Sequence, residues 1–486
     1  MQDNNFLGTE PIGKLLRRLA IPTVAAQLIN MLYNIVDRIY IGHMPGDGAL
    51  ALTGVGVCLP IIMVVTAFAA LVSAGGAPRA SIDMGRGDRA AAERTLGNCF
   101  LLQIMLSAVL TATLLLWNRQ FLLAFGASGN TIDYAESYMN TYALGTIFVQ
   151  LTLGMNAFIT AQGFAKISMR TVLIGAICNI ILDPIFIFAF RMGVRGAAMA
   201  TVISQAVSCI WVVAFLFGKK TILKIRPQNI RLQPCVILPC IALGLASFIM
   251  TASESVIAVC FNSSLLRYGG DIAVGAMTIL TSAMQFAMMP LQGLGQGAQP
   301  IISYNYGAGN VQRVRKTFWL LLKVSMAYSC LLWGLIMLFP QAVAAIFTTD
   351  TALIAFTQNA LRIYFAVMVV FGIQIACQMT FIAIGSAKSS IIVAVARKFV
   401  LLIPLIYLLP SIWRGNPTQA VYLAEPVADI LAVTFTACLF AVQFKRTLRE
   451  MERQPPVVCA GVTETGNIRD AVSKTGERAV KRTSDA

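Results

Sequence analysis

Apolar stretches of about 20 residues or more recur roughly every 35 to 40 residues along the whole chain, enough for each to cross a bilayer. They lie near 14–43, 50–74, 95–117, 135–161, 167–190, 196–217, 235–262, 272–299, 317–340, 359–384, 389–411 and 418–443. A hydrocarbon core about 30 Å thick is crossed by about 20 helical residues rising 1.5 Å each. With no water in that core, every backbone N–H and C=O must be bonded within the segment, so single stretches cross only as helices. The fold class that follows is an all-α polytopic membrane protein with about 12 transmembrane helices. A composition of 57% hydrophobic and 12% charged residues leaves no sizeable soluble domain. The first stretch contains Gln27, Asn30, Asn34 and Asp37, which is too polar for the apolar core of a signal peptide, so it is read as helix 1.

The net charge of +16 raises the question of nucleic acid, and the placement of the charges answers it. Lys14, Arg17 and Arg18 precede helix 1, and Arg79, Arg86, Arg89 and Arg94 fall between helices 2 and 3. Lys166 and Arg170 follow helix 4, and Lys219, Lys220, Lys224, Arg226 and Arg231 fill the connection after helix 6. Arg313, Arg315 and Lys316 follow helix 8, and Lys388, Arg397 and Lys398 are read as following helix 10. The odd-numbered connections hold few basic residues. By the positive-inside rule both termini are cytoplasmic, and the basic balance records topology rather than a nucleic-acid partner. The 11 cysteines are scattered singly, the one histidine, His43, ends helix 1, and no phosphate-binding loop is present, so neither a metal framework nor ATP hydrolysis is expected.

The chain repeats itself. Pro78 and Pro300 stand 222 residues apart, and the same offset, without a gap, pairs Gly75 with Gly297, Gly85 with Gly307, Gly87 with Gly309, Phe125 with Phe347 and Tyr142 with Tyr364. It also pairs Gly163, Ala165, Lys166 and Ser168 with Gly385, Ala387, Lys388 and Ser390. The expected domains are a six-helix bundle over 1–217, a basic cytoplasmic linker over 218–234, a second six-helix bundle over 235–445 and a disordered cytoplasmic tail over 446–486. An even number of spans gives both copies the same orientation, so a pseudo-two-fold axis along the membrane normal relates them across a central cleft. That is an alternating-access architecture for a transporter.

An acid in a membrane span is expensive, about 2.5 to 3.5 kcal/mol at the helix centre, and usually faces a cavity or a partner. Gln27, Asn30, Asn34 and Asp37 fall on one face of helix 1; Asn179 and Asp183, four apart, fall on one face of helix 5. Counting residues from the outer ends of their helices puts Asp37, Asp183 and Thr201 at matching depth, roughly 9 to 12 Å below the surface. Asp37, Asn179, Asp183 and Thr201 can therefore form one oxygen-lined site for a proton or a hard cation. Pro184, directly after Asp183, predicts a helix bend that frees a carbonyl near Ile180. In the second bundle the offset puts Leu405 and Leu401 where the first has Asp183 and Asn179. Glu254 in helix 7 and Glu425 with Asp429 in helix 12 are buried acids instead, readable as a second acidic site or as an anchor for helix 12.

Taken together, "MLYNIVDRIYIGH", "GAPRASIDMGRGDRAAAERTLGNCF", "NIILDPIFIF", "GVRGAAMATVISQ" and "GLGQGAQPIISYNYGAGN" resemble the multidrug and toxic compound extrusion (MATE) family, in its MepA-like bacterial branch. The resemblance covers roughly residues 8 to 445. It implies a protein of the bacterial plasma (inner) membrane that is no enzyme and uses no cofactor. Inward movement of H+ or Na+ would drive export of small amphipathic, often cationic drugs and dyes. It carries the family's cation site onto Asp37, Asn179, Asp183 and Thr201, and the helix 7 acid of some branches onto Glu254. Drug contacts are expected at Gln27, Asn30, Asn34, Asn156, Glu254, Met288, Met289 and Gln292. Where those branches have an acid on helix 10, this chain offers Gln374 and Gln378. The expected partners are the lipid bilayer and the drugs, with no nucleic acid, and the working unit is expected to be a monomer. The rival within transport is a lipid-linked or polysaccharide flippase of related architecture, which a run of basic residues lining the spans would favour and this chain lacks.

Overall fold

The computed structural model describes residues 6–44, 48–348, 350–413 and 415–453. The duplicated turns come first, because they fix where helices start. Gly87 and Gly309 take φ of 81° and 71°, in the left-handed region that glycine enters at no steric cost. Each hands the chain to a capping oxygen: Asp88 accepts from the Ala91 amide at 2.8 Å, and Asn310 from the Arg313 amide at 3.2 Å. Both turns sit at the same point of the repeat, so the duplication read from sequence is repeated in backbone geometry.

Among the described residues ten helices are long and apolar enough to cross a membrane, and two bent pairs, each taken as one span, bring the number to twelve: α1 (Ile12–Gly42), α2 (Leu50–Gly85), α3 (Arg89–Ala124), α4 (Ile132–Leu144 with Thr146–Ala161), α5 (Ala165–Ala189) and α6 (Gly193–Phe217) make the first bundle. The second is α7 (Pro234–Gly270), α8 (Ile272–Gly307), α9 (Val311–Leu338), α10 (Thr351–Tyr364 with Met368–Ala383), α11 (Ala387–Ile412) and α12 (Pro417–Arg453). The spans α4 and α10 occupy the same place in the two repeats and are both broken, bending by 57° and 48°. Among the described residues there is no strand. One expectation changes here. Residues 446–453, expected in the tail, continue α12, whereas 454–486 lie outside the described residues. At Pro184 the α-helix passes into five residues of π-helix, Ile185–Ala189, so the missing proline amide is absorbed as a change of hydrogen-bond register.

Apolar packing gives the two bundles a shape. At the end away from the termini one core draws on all six helices of the first bundle, with Ile41, Val55, Leu114, Tyr138, Ile187 and Ala197. Another draws on all six of the second, with Phe261, Leu280, Ile336, Leu361, Ile406 and Tyr422. At the terminal end a core mixes both, joining Leu15, Leu19 and Ala20 of α1 to Ile301, Val314, Phe381 and Phe440. The bundles therefore share a core at one end and part at the other, and the cleft between them opens away from the termini.

The shared end is closed by close backbone approach. A Cβ on Gly85 would sit inside the Tyr304 carbonyl, and one on Gly307 inside the Ile82 carbonyl, a reciprocal pair across the pseudo-two-fold. Entry segments cross over as straps. Residues before α1 lie on the second bundle, where Asn305 and Arg313 donate to the Leu7 carbonyl at 3.0 Å and Arg313 to that of Glu10 at 2.8 Å. The linker before α7 lies on the first, where Gln162 Oε1 accepts from Thr221, Ile222 and Leu223, each at 2.8 Å. Gly85→Val is expected to prise this end open. A cysteine placed at Ser81, which is fully buried, would then react with a water-soluble maleimide several times faster than in the otherwise native protein; equal rates would mean that the glycine crossing does not hold the closure.

Candidate functional site

In the first bundle the four residues expected to form an oxygen-lined site come together. Asn179 and Asp183 share a face of α5, and Asn179 Nδ2 donates to Asp183 Oδ1 at 3.1 Å and to Thr201 Oγ1 of α6 at 3.5 Å. Asp37 of α1 meets Asp183 side chain to side chain. Burial is nearly complete: Asp183 is 0% exposed, Asn179 1% and Asp37 9%. Around them stand Tyr33, which reaches toward Gln205, and Tyr138, which reaches toward Thr201. Neither tyrosine is legible as a site residue from sequence, because an aromatic residue in an apolar span reads as packing; Tyr33 lies one helical turn before Asp37, and that spacing is the signal available.

The electrostatics are one-sided. Among the described residues neither Asp37 nor Asp183 is in an ion pair. Four buried oxygens here, Asp37 Oδ1, Asn179 Oδ1, Asp183 Oδ2 and Gln205 Oε1, have no hydrogen-bond partner among the described residues. Buried acceptors are nearly always satisfied, and an unsatisfied one costs about 1–3 kcal/mol. Four acceptors left without a donor among the described residues are what a proton shared between carboxylates, or a hard cation on oxygen ligands, would satisfy.

The expected drug contacts do not form one patch. Gln27 lies at the seam between bundles, donating to Gln296 Oε1 of α8 at 3.1 Å, and Gln296 is a seam residue that the sequence reading misses. Asn34 is exposed and donates to the Asn30 carbonyl, one turn back, at 2.6 Å. Gln292 is exposed and Met289 half-buried, whereas Met288 packs against the core of the second bundle. Asn156 is drawn inside the first bundle, where it donates to the Ser168 carbonyl of α5 at 3.3 Å. Gln374 and Gln378 of α10 are buried, and Gln378 meets Met250 of α7.

The largest departure from the sequence reading lies in the second bundle. Arg397 and Lys398, counted there among basic loop residues, are buried inside α11, 7% and 4% exposed. They sit in a π-helical stretch, Ala396–Leu402, and serve two different neighbours. Arg397 donates to Asp429 Oδ1 at 2.8 Å and Glu425 Oε1 at 3.3 Å on α12 and lies 4.7 Å over the Phe371 ring, while Lys398 donates to Glu254 Oε1 of α7 at 2.7 Å. The signal was available: both fall near the middle of the apolar stretch 389–411, where an unpaired cation is not tolerated. So the two bundles carry different polar centres, one of oxygens without a cation and one of acids with cations built in.

A family model described as MatE matches residues 22–185 and 246–408, one stretch in each bundle. The Multidrug export protein MepA of Staphylococcus haemolyticus (strain JCSC1435) is 25% identical over 423 residues, 87% of this chain and 92% of that protein. The protein of the same name from Staphylococcus aureus (strain NCTC 8325 / PS 47) is 22% identical over 410 residues, 84% and 89% of the two chains. Among solved structures, MATE in the bent conformation superposes with a TM-score of 0.86 at 23% identity, covering 93% of this chain and 99% of that one. An outward-facing multidrug resistance MATE family transporter does so with a TM-score of 0.86 at 22% identity over the same shares.

Proposed function

From the premise that this chain belongs to the MatE family of multidrug and toxic compound extrusion transporters and is a multi-pass membrane protein, we propose that it exchanges an inward-moving H+ or Na+ for an outward-moving amphipathic organic cation. Members of the family move solutes and are not enzymes, so the site is read as a coupling device. The observation that carries the reading is the set of four buried, unpartnered oxygens on α1, α5 and α6. A cation or proton arriving from the open side of the cleft satisfies them, and α1 connects that event to the seam, because Asp37 and the seam residue Gln27 lie on one face of the same helix.

On the positive-inside reading the termini are cytoplasmic, and on that reading the described state opens to the outside and is closed inside by the α2–α8 crossing. Exchange follows if ion and drug favour different arrangements of the two bundles, since a ligand shifts a conformational equilibrium only by its differential affinity. The inside-negative potential makes expelling one monovalent cation cost about 2.3 kcal/mol per 100 mV, which the inward ion offsets. The multidrug relatives favour drug export over the flippase reading.

Expression in cells lacking other pumps is expected to produce energised ethidium efflux. Collapsing the proton gradient stops it if the site works on H+; imposing a Na+ gradient at fixed pH restores it if the site works on Na+. No efflux of ethidium or of any other cationic dye would remove the multidrug reading.

A further inference from the structure

The repeat leaves one pair of equivalent helix faces unequal. In the first bundle the linker covers the start of α3: Glu93 pairs with Arg226 at 2.5 Å, Asn98 Oδ1 accepts from the Gln233 amide at 2.7 Å, and a Cβ on Gly97 would run into the Asn229 carbonyl. The 222-residue offset puts Arg315, Trp319 and Leu320 of α9 at the positions of Glu93, Gly97 and Asn98. There the face is bare, with Arg315 and Trp319 both exposed. The bundles share a core at this end, so an exposed face here looks outward and not into the cleft.

The bare face is basic. Arg315, Lys316 and Lys323, with Gln312, Trp319 and Leu320, line a cavity of about 590 Å³. The three bases are exposed, and none is in an ion pair among the described residues. Lys323 stands about 18 Å along α9 from its start at Val311, inside the apolar stretch. An exposed ammonium at that depth is costly unless it reaches back to a headgroup or meets a negative partner. Beyond it, Val324, Leu331 and Leu335 follow Leu320 at i+4, i+11 and i+15, so they are exposed along one side of the helix. Bases at the end of a span, an indole among them and an apolar stripe beyond repeat the layout of a phospholipid: headgroup, interface and acyl chain.

We propose that this face of α9 binds an anionic phospholipid, its phosphate held among Arg315, Lys316 and Lys323, the Trp319 indole at the level of the glycerol, and an acyl chain along Val324 and Leu331. One bundle is then clasped by its own linker and the other by the membrane. The tail after Arg453 follows the second bundle as the linker follows the first, but its charge does not fit. Between 454 and 486, Arg469, Lys474, Arg478, Lys481 and Arg482 outnumber Glu464, Asp470, Glu477 and Asp485, which leaves no net negative charge for three bases. A soluble phosphate would use the bases and leave the apolar stripe unused. Occupancy of this face is independent of which ion or drug the transporter carries.

The test is fluorescence quenching of Trp319 by lipids with brominated acyl chains, in phosphatidylcholine vesicles holding the full-length protein. The Trp319 signal is the difference between each protein and the same protein with Trp319→Phe. Brominated phosphatidylglycerol is expected to half-quench it at about fivefold lower mole fraction than brominated phosphatidylcholine, the effect of one well-placed base on an anionic headgroup. Arg315→Gln with Lys316→Gln and Lys323→Gln is expected to bring the two lipids to the same value. Lys219→Gln with Lys220→Gln, on the mid-chain connection, is expected to keep the native preference. Equal quenching by the two lipids in native protein overturns the proposal, as does a preference that survives the triple variant or falls equally in the Lys219 and Lys220 variant. If the triple variant does not fold, Lys323→Gln alone decides, and an unchanged preference overturns the proposal in the same way. A native Trp319 that neither lipid quenches assigns the face to the tail, and relief of phosphatidylglycerol quenching by millimolar glycerol phosphate assigns it to a soluble anion; either result overturns the lipid site.

Discussion

Asp183→Asn is expected to abolish ion-driven ethidium export while leaving ethidium binding to purified protein within a factor of a few. The substitution keeps the shape and the Asn179 contact partner but can neither ionise nor share a proton with Asp37. The site then has one more amide donor for oxygens that are unpartnered among the described residues of the native cluster, so they are satisfied without an ion, and ion entry no longer favours one arrangement of the bundles. The loss is large because the coupling is all that sustains the gradient: 2.3 kcal/mol per 100 mV corresponds to a concentration ratio of about fifty for a monovalent cation. Asp37→Asn should behave alike, since the two carboxyls form one unit. Time courses of dye efflux, with expression matched by immunoblot, measure the effect. Native-level efflux from Asp183→Asn would sink the coupling assignment while leaving family membership untouched.

How much of this was legible beforehand differs between the bundles for a physical reason. In the first, depth and periodicity sufficed: Asp37, Asn179, Asp183 and Thr201 lie on identifiable helix faces at countable distances from the helix ends, and the structure brings them together. The twelve spans were equally visible, because about 20 apolar residues have only one use in a bilayer. In the second bundle the acids were visible and their partners were not. A basic residue near a helix start reads as topology, and only its count into the span separates Arg397 and Lys398 from an exposed residue of the first helical turn such as Lys388. The π-helical stretch that lets two adjacent side chains serve α12 and α7 has no sequence signature of its own. The same holds at Pro184, where proline announces a disturbed hydrogen-bond ladder without saying whether the helix kinks or changes register. Packing direction was the other blind spot: Asn156 has the composition of a cleft residue, yet its amide points into α5.

Arg397→Met is expected to be the most destabilising single substitution in the second bundle, and its rescue decides what Glu425 and Asp429 do. The side chains of Arg397, Glu425 and Asp429 are 9%, 6% and 5% exposed, so removing the guanidinium strands two buried carboxylates. Breaking a buried pair by deleting one partner typically costs about 3–5 kcal/mol, a large part of the 5–15 kcal/mol that holds a folded protein together. The variant should express poorly or elute as aggregate on size exclusion, with any folded fraction melting well below native. Replacing a whole buried ionic group by neutral residues is, by contrast, often harmless. Arg397→Met combined with Glu425→Gln and Asp429→Asn should therefore recover a monodisperse protein. A single variant as stable as native would show that the network contributes little to folding. Transport by the rescued triple variant then separates the two uses of the acids: native ethidium efflux assigns them to anchoring α12 against α11, and loss of efflux in a well-folded protein gives the second bundle a titrating or ion-binding part in the cycle.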